Sequence, residues 1–285
     1  MTTVSDTAPD TESSALLPRI IACFDVIDGR VTKARQFADN IDVAPASTLA
    51  AELYEQDVDE LIFYDITASH ERRTLQLEAV ESVARRVCIP FTVGGGIGTV
   101  EQMHAVLERG AEKVSIDSMA VRRPALITEG ANEFGTQCIV LSMQAARTEP
   151  SRACPSGYEI WIDGARVRTG IDAVEWARRG EALGAGEICV NSIDRDGTHT
   201  GYDLRLLRLI LEAVNRPVIA SGGAGSADHV AAGLRTGASG AIVSSLLYSP
   251  RLKDRMTVPE LKRTLTARGF AMRAPVTPDP RETQA

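Results

Sequence analysis

The sequence has no cluster of cysteines and histidines. Its five cysteines, Cys23, Cys88, Cys138, Cys154 and Cys189, are scattered, and histidine occurs four times in 285 residues. A structural zinc site gathers such residues at short spacing, so no metal is expected, and no cofactor is implied. Three of the five cysteines lie in apolar runs, which reads as reduced, buried thiols in a cytoplasmic protein. No apolar run approaches the roughly 18 residues of a membrane span. The start, MTTVSDTAPDTESSALLP, lacks a basic end followed by an apolar stretch, so it is not a secretory signal. An excess of basic charge is missing too. The formal net charge is −7, which argues against a nucleic-acid surface.

What is present is a regular alternation. Eight short runs, RIIACFDV, ELIFYDI, PFTVGGG, KVSID, CIVLSMQ, EICVNSI, PVIASGG and GAIVSS, are nearly continuously apolar and bounded by Gly, Asp or Ser. Such runs suit parallel strands buried on both faces. Between most of them lie helical patterns such as LEAVESVARRV, DAVEWARRGEALG and DHVAAGLRTG, several ending in Gly. Eight strands alternating with helices predict an α/β fold, a (β/α)8 TIM barrel over residues 17–273. A doubly wound sheet shares the alternation and is the structural alternative. Residues 1–16 and 274–285 are rich in Ser, Thr, Pro and Asp and read as disordered tails.

An internal repeat favours the barrel. Glu60 and Glu187 begin matching runs 127 positions apart (187 − 60), as are Gly95 and Gly222 of the two Gly-Gly turns. The stretch GAEKVSIDS at 110–118 overlays GASGAIVSS at 237–245 with the same offset. The first and fifth strands overlay so that Asp25 meets Gln144, with an offset of 119. The eight extra residues fall between strands five and six, where RTEPSRACPSGYEIWIDGARVRTG reads as a hairpin. Two similar half-barrels account for the core.

In such barrels chemistry sits where the strands end. The matched Gly-Gly turns and Ser-bearing ends expose backbone N–H groups before helices, which favours anions and predicts two phosphate sites. A substrate with a phosphate at each end would fit. The stretch DGRVTKARQF carries Arg30, Lys33 and Arg35 and reads either as a solvated basic loop or as a lid over an anionic substrate. Asp25 ends an apolar strand, where a carboxylate is costly to bury without purpose, so acid–base chemistry is favoured there. Asp196 lies in SIDRDGTHTGYD beside His199; Asp65 and Asp194 can equally organise turns. At the other strand ends, Arg19, Glu60, Lys113 and Glu187 are balanced in charge and could pair into a ring.

Taken together, RIIACFDVIDGRVTK, DELIFYDITAS, PFTVGGGI, GAEKVSID, SIDRDGTHTGYD and IASGGAG resemble the cyclase subunit of imidazole glycerol phosphate synthase, over about residues 17–273. The resemblance implies a barrel of two similar halves with a glutaminase subunit docked at its N-terminal, bottom face. Ammonia from that partner would pass a charged gate and the barrel interior to reach the top. There it would convert a bis-phosphorylated ribulosyl-formimino-aminoimidazole carboxamide ribonucleotide (PRFAR) to imidazole glycerol phosphate and the aminoimidazole carboxamide ribotide (AICAR), in histidine biosynthesis. Carried over residue by residue, the first catalytic aspartate falls on Asp25 and the loop lysine on Lys33. The gate falls on Arg19, Glu60, Lys113 and Glu187. Phosphate positions fall on Gly96, Ser118, Gly197, Gly223, Ser244 and Ser245, and the aspartate of DRDGT on Asp196.

Three positions depart from the family pattern. The second catalytic aspartate falls on Gln144, in MQAAR. A phosphate-lining asparagine falls on Asp117, and the glycine after the loop lysine is Ala34. Glutamine cannot give up and regain a proton near pH 7, and general acid–base help is worth roughly 10²- to 10⁴-fold. A carboxylate about 4 Å from a phosphate charge costs on the order of 4 kcal/mol at an effective dielectric near 20. Asp117 must therefore point away, be protonated, or mark a different substrate end, and Asp196 is the nearest substitute acid. Two further readings follow: a diverged ammonia-using enzyme acting on another phosphorylated substrate, and a weakened subunit that docks and activates a glutaminase. A related sugar isomerase also uses two strand-end aspartates, but the four-residue gate and SIDRDGT argue against it.

Overall fold

The computed structural model describes residues 16–35, 38–66, 76–250 and 252–274. Most of both expected tails lies outside these residues. Twelve strands are present among them: β1 (Arg19–Ile27), β2 (Arg30–Arg35), β3 (Ala38–Pro45), β4 (Glu60–Asp65), β5 (Phe91–Gly94), β6 (Lys113–Ile116), β7 (Ile139–Arg147), β8 (Tyr158–Ile162), β9 (Val167–Asp172), β10 (Glu187–Ser192), β11 (Val218–Ser221) and β12 (Gly240–Ile242). Eight of them pair in parallel and close in the order β1-β4-β5-β6-β7-β10-β11-β12, with β12 back on β1. This is the expected (β/α)8 barrel, and its eight strands are the eight apolar runs. Helices Ala46–Glu55, Val100–Glu108, Ala125–Phe134, Leu204–Leu211 and Val258–Ala267 join those of the helical patterns quoted above in the outer layer.

The repeat extends further than the sequence alignment shows. β1 and β7 are both nine residues long, and each feeds an antiparallel hairpin, β2–β3 and β8–β9. The hairpin after β7 lies where it was expected. The one after β1 corrects the reading of DGRVTKARQF as a loop: Arg30–Arg35 is a strand paired along the end of β1. Asp28 and Gly29 both have positive φ, 49° and 73°, as the tight turn that matches strand twist requires. The Asp-Gly pair was the available signal.

Parity along the strands places the chemistry. Ile20, Ala22 and Phe24 join the outer core between strands and helices, while Ile21, Cys23, Ile62, Val140, Cys189, Ile219 and Ile242 form a second apolar cluster inside the barrel. Side chains alternate faces along a strand, so Asp25 continues the inward series of β1 and Gln144 that of β7. Outer packing is tight. A Cβ on Gly180 of helix Ala173–Leu183 would stand 2.2 Å from Leu141 of β7. No helix among the described residues is long and apolar enough to cross a membrane. Cys23, Cys154 and Cys189 are buried, Cys138 is half-buried, and Cys88 is exposed after helix Leu77–Ala84, so the expectation of buried thiols holds for three of the five.

Candidate active site

At the N-terminal strand ends the four charged residues form a closed ring. Arg19 Nη1 donates to Glu60 Oε2 at 2.6 Å and Arg19 Nη2 to Glu187 Oε1; Lys113 Nζ reaches Glu60 Oε1 at 3.0 Å and Glu187 Oε2 at 3.1 Å. Thr92 adds a hydrogen bond to Glu60 at 3.1 Å. Each cation touches both anions, so no charge is left without a counter-charge even though Glu60 is fully buried. Burial pulls the Arg19 guanidinium down, but Glu187 and Glu60 outweigh it and hold the guanidinium above its ordinary value.

Above the ring lies the apolar interior cluster, and above that Tyr64, which the sequence reading did not single out. Its hydroxyl lies 3.1 Å from Ser115 Oγ and 3.4 Å from Ser142 Oγ, so one phenol from β4 reaches β6 and β7 across the bore. Gly94 makes room for it, since a Cβ there would meet the ring at 2.7 Å. Burial holds the Tyr64 hydroxyl, like the Cys23 thiol, well above its usual range, and pushes the Cys189 thiol up to about 12. Among the described residues, the titratable groups of the bore, Cys23, Tyr64 and Cys189, are all held toward their neutral forms.

At the mouth, most of the strand-end residues singled out from the sequence line a single cavity of about 300 Å3: Asp25, Lys33, Gly96, Asp117, Ser118, Gln144, Asp196, Gly197, Gly223, Ser244 and Ser245. That is the lower end of the size of small-molecule sites. Lys33, carried on β2, places its ammonium 2.6 Å from Asp25 Oδ2 and 5.6 Å from the centre of the Tyr248 ring. Burial draws this ammonium down, but Asp25 and Tyr248 more than reverse that, and it is held well above the ordinary lysine value. Lys33 thus reaches the mouth from a paired strand and is locked to the first carboxylate. Asp196 is pushed up to about 6, first by burial and then by Asp25, with Lys33 and the Gly197 N–H pulling the other way.

In the other half, Gln144 sits in a chain of neutral groups. Ser221 Oγ donates to Asn191 Oδ1 at 3.0 Å, Asn191 Nδ2 to Gln144 Oε1 at 2.8 Å, and Gln144 Nε2 to Asp117 Oδ2 at 3.3 Å. Burial pushes the Asp117 carboxyl up to about 7, Gln144 and Arg122 opposing and Asp163 adding to the rise. Asp117 therefore turns toward Gln144, and burial favours its protonated form relative to an ordinary aspartate, which joins two of the alternatives its sequence position left open. Asn191 and Ser221 were missed, because nothing in their local sequence marks them as site residues.

The phosphate positions divide. The glycines fit close backbone approach: a Cβ on Gly223 would stand 2.4 Å from the Gly201 carbonyl oxygen, and Gly96 has φ 73°. Ser118 Oγ accepts from the Asp163 N–H at 2.9 Å, so the tip of the β8–β9 hairpin rests on that site. Ser244 Oγ accepts from Cys23 N at 3.0 Å and donates to Cys23 O at 2.7 Å; its hydroxyl is committed to β1, and Ser245 is left to face the cavity. Asp194 accepts from the Arg147 N–H at 2.8 Å, the turn-organising role considered for it.

The family model described as histidine biosynthesis protein matches residues 19–253. Imidazole glycerol phosphate synthase subunit HisF of Nitratidesulfovibrio vulgaris (strain DP4) is 51% identical over 259 residues, 90% of this chain and 98% of the relative. The subunit of the same name from Desulfatibacillum aliphaticivorans is 49% identical over the same shares. That of Syntrophobacter fumaroxidans (strain DSM 10017 / MPOB) is 53% identical over 82% of this chain and 90% of the relative. The chain belongs to the HisF family.

Proposed function

We propose that the chain is the cyclase subunit of an imidazole glycerol phosphate synthase, and that it converts PRFAR and ammonia to imidazole glycerol phosphate and AICAR in histidine biosynthesis. The ammonia comes from a glutaminase subunit docked on the face that carries Arg19, Glu60, Lys113 and Glu187. The observation that carries this reading is the continuous axis of the barrel: a closed ion ring, an apolar bore, then Asp25, Lys33 and Asp196 in one cavity.

The chemistry needs little else from the chain. A ketone on the ribulosyl chain and ammonia condense, and the departing oxygen leaves as water after taking protons. The new nitrogen adds to the formimino carbon, the old carbon–nitrogen bond breaks, and the aminoimidazole nitrogen leaves with the bond electrons and one proton. Asp25 faces the cavity as the acceptor for protons on the incoming nitrogen, and Lys33 orients it through their 2.6 Å bond. Asp196, titrating near 6, returns protons close to neutral pH. Gly96, Ser118, Gly197, Gly223 and Ser245 supply the two ends of the cavity that hold phosphates. The apolar bore suits neutral ammonia and excludes ions.

A second reading, a related ammonia-dependent reaction on another phosphorylated substrate, is favoured by Gln144 and Asp117 alone. Purified chain, ammonium salt and PRFAR separate the two. Formation of both products supports the first reading. No turnover of PRFAR, with the protein folded and the cavity occupied by another phosphorylated amidine or ketose, would sink it.

A further inference from the structure

We infer that Asp117 is an acid–base group of the reaction centre, and that in this half of the barrel the acid and the amide have exchanged strands. The inference rests on the cyclase reading above. The repeat sets Gln144 against Asp25, so an acid is expected at the end of β7, yet an amide stands there. The acid is one strand away, just after β6, and touches that amide: Gln144 Nε2 to Asp117 Oδ2 is 3.3 Å.

The Gln144 amide lies in a relay: Ser221 Oγ donates to the Asn191 oxygen and Asn191 Nδ2 to the Gln144 oxygen, which leaves the Gln144 NH2 toward Asp117. Gln144 is then a positioning residue. It holds one carboxylate oxygen of Asp117 and leaves the carboxyl on the wall of the cavity. The bland role for Asp117 is to cap helix Ser118–Arg122, which it immediately precedes. It makes no side-chain bond to that helix's N–H groups. The charged or titratable neighbours that bear on it are Asp163 from the hairpin tip, Arg122 from its own helix, itself paired to Asp163, and Cys189 from the barrel wall. None is a cation bound to Asp117. Burial then leaves the carboxyl near a value of 7, suited to giving a proton at neutral pH and taking it back. In the step it serves, the bond between the formimino carbon and the aminoimidazole nitrogen breaks, and the electron pair goes to nitrogen. The Asp117 proton follows, and the carboxylate is recharged by a proton that the new ring nitrogen releases as the imidazole forms.

The test compares wild type, Asp117→Asn, Gln144→Asp and the double variant, each with PRFAR and ammonium salt across pH 5.5–9. Asparagine at 117 keeps a partner for Gln144, so folding is preserved and is checked by thermal unfolding. Asp117→Asn is expected to lower kcat by roughly 10²- to 10⁴-fold and to erase the limb of the pH profile near 7. The double variant, which moves the acid back to β7, is expected to recover most of the loss, far beyond the product of the single effects. Wild-type turnover and pH profile retained by Asp117→Asn would overturn the inference and leave the cyclase reading standing. Turnover by the double variant alone would overturn the inference as well, since the native arrangement would then be idle. No turnover in any variant would sink the cyclase reading, and this inference with it.

Discussion

The two half-barrels solve one electrostatic problem in opposite ways. At the end of β1 a carboxylate, Asp25, is matched by a lysine 2.6 Å away, so the charge is neutralised by a permanent counter-ion. At the end of β7 no cation among the described residues is bonded to Gln144 or Asp117. Gln144 carries no charge, and the nearby Asp117 is instead neutralised part of the time by a proton. The scaffold is the same in both halves: a nine-residue strand, an antiparallel hairpin, and an inward-facing residue near the strand's C-terminal end, Asp25 in one and Gln144 in the other. Only the hairpins differ in what they deliver. β2 inserts Lys33 into the mouth, whereas the tip of β8–β9 sets Asp163 on Ser118 and so adds a negative neighbour beside Asp117. A duplicated fold thus keeps geometry while partners decide which protonation state each carboxyl occupies.

The largest effect that would sharpen this contrast is at Asp25. Asp25→Asn removes an acid–base group and leaves the Lys33 ammonium without its counter-charge, so ammonium-dependent cyclisation is expected to fall by roughly 10²- to 10⁴-fold. Retained turnover in a steady-state assay would break the assignment of the first half.

The next concerns what the two halves share. Glu60 and Lys113 come from the first half of the ring and Glu187 from the second. With a glutaminase partner present, Lys113→Ala is expected to uncouple glutamine consumption from product formation several-fold. Activity with added ammonium salt should stay near wild type. Equal loss of both activities would mean that the ring is structural only.

A third measurement reads the proton at Asp117 without catalysis. Its folded value of about 7 lies above that of an exposed aspartate, so the folded state favours the protonated form. Stability contributed by that preference is complete below about pH 4 and is lost as pH rises through 7. Asp117→Asn should therefore be nearly neutral in urea unfolding at pH 4 and stabilising at pH 8, by about 1–4 kcal/mol with the upper figure the unscreened limit. A pH-independent difference would show that the carboxyl is ionised in the fold.

The smallest expected effect is on anion binding. Sulfate keeps its charge across this range, so any pH dependence belongs to the protein. The Ser118 end should bind sulfate more weakly than the Ser245 end at pH 8 and gain on it as pH falls below 7 and Asp117 is neutralised. Calorimetry with a Ser245→Asp control distinguishes the ends. A tighter Ser118 end at pH 8 would reverse the order.

Much of this was legible before any coordinates. The eight apolar runs are the eight barrel strands, because burial on both faces leaves an unbroken local pattern. The 127-residue repeat located equivalent strand ends, and charge at strand starts located the ring. The β2 strand was read as loop because Arg30, Lys33 and Arg35 mask its alternation. The Asp-Gly turn at 28–29 was the better guide. That the Ser244 hydroxyl is committed to β1 was not legible, because local sequence cannot tell a free hydroxyl from one bonded to a neighbouring strand.

The sequence by itself determined the barrel, its two halves, the family, and which residue types stand at each strand end. All of these follow from patterns within a strand or from one strand repeated. Only the tertiary structure decided that Asp117 turns to Gln144 across 27 positions of chain, that Asn191 and Ser221 orient that amide, and that Tyr64 reaches across the bore. Those contacts run between strands. They depend on how far each parallel strand is shifted against the next when the sheet closes, a quantity that no single strand's sequence contains.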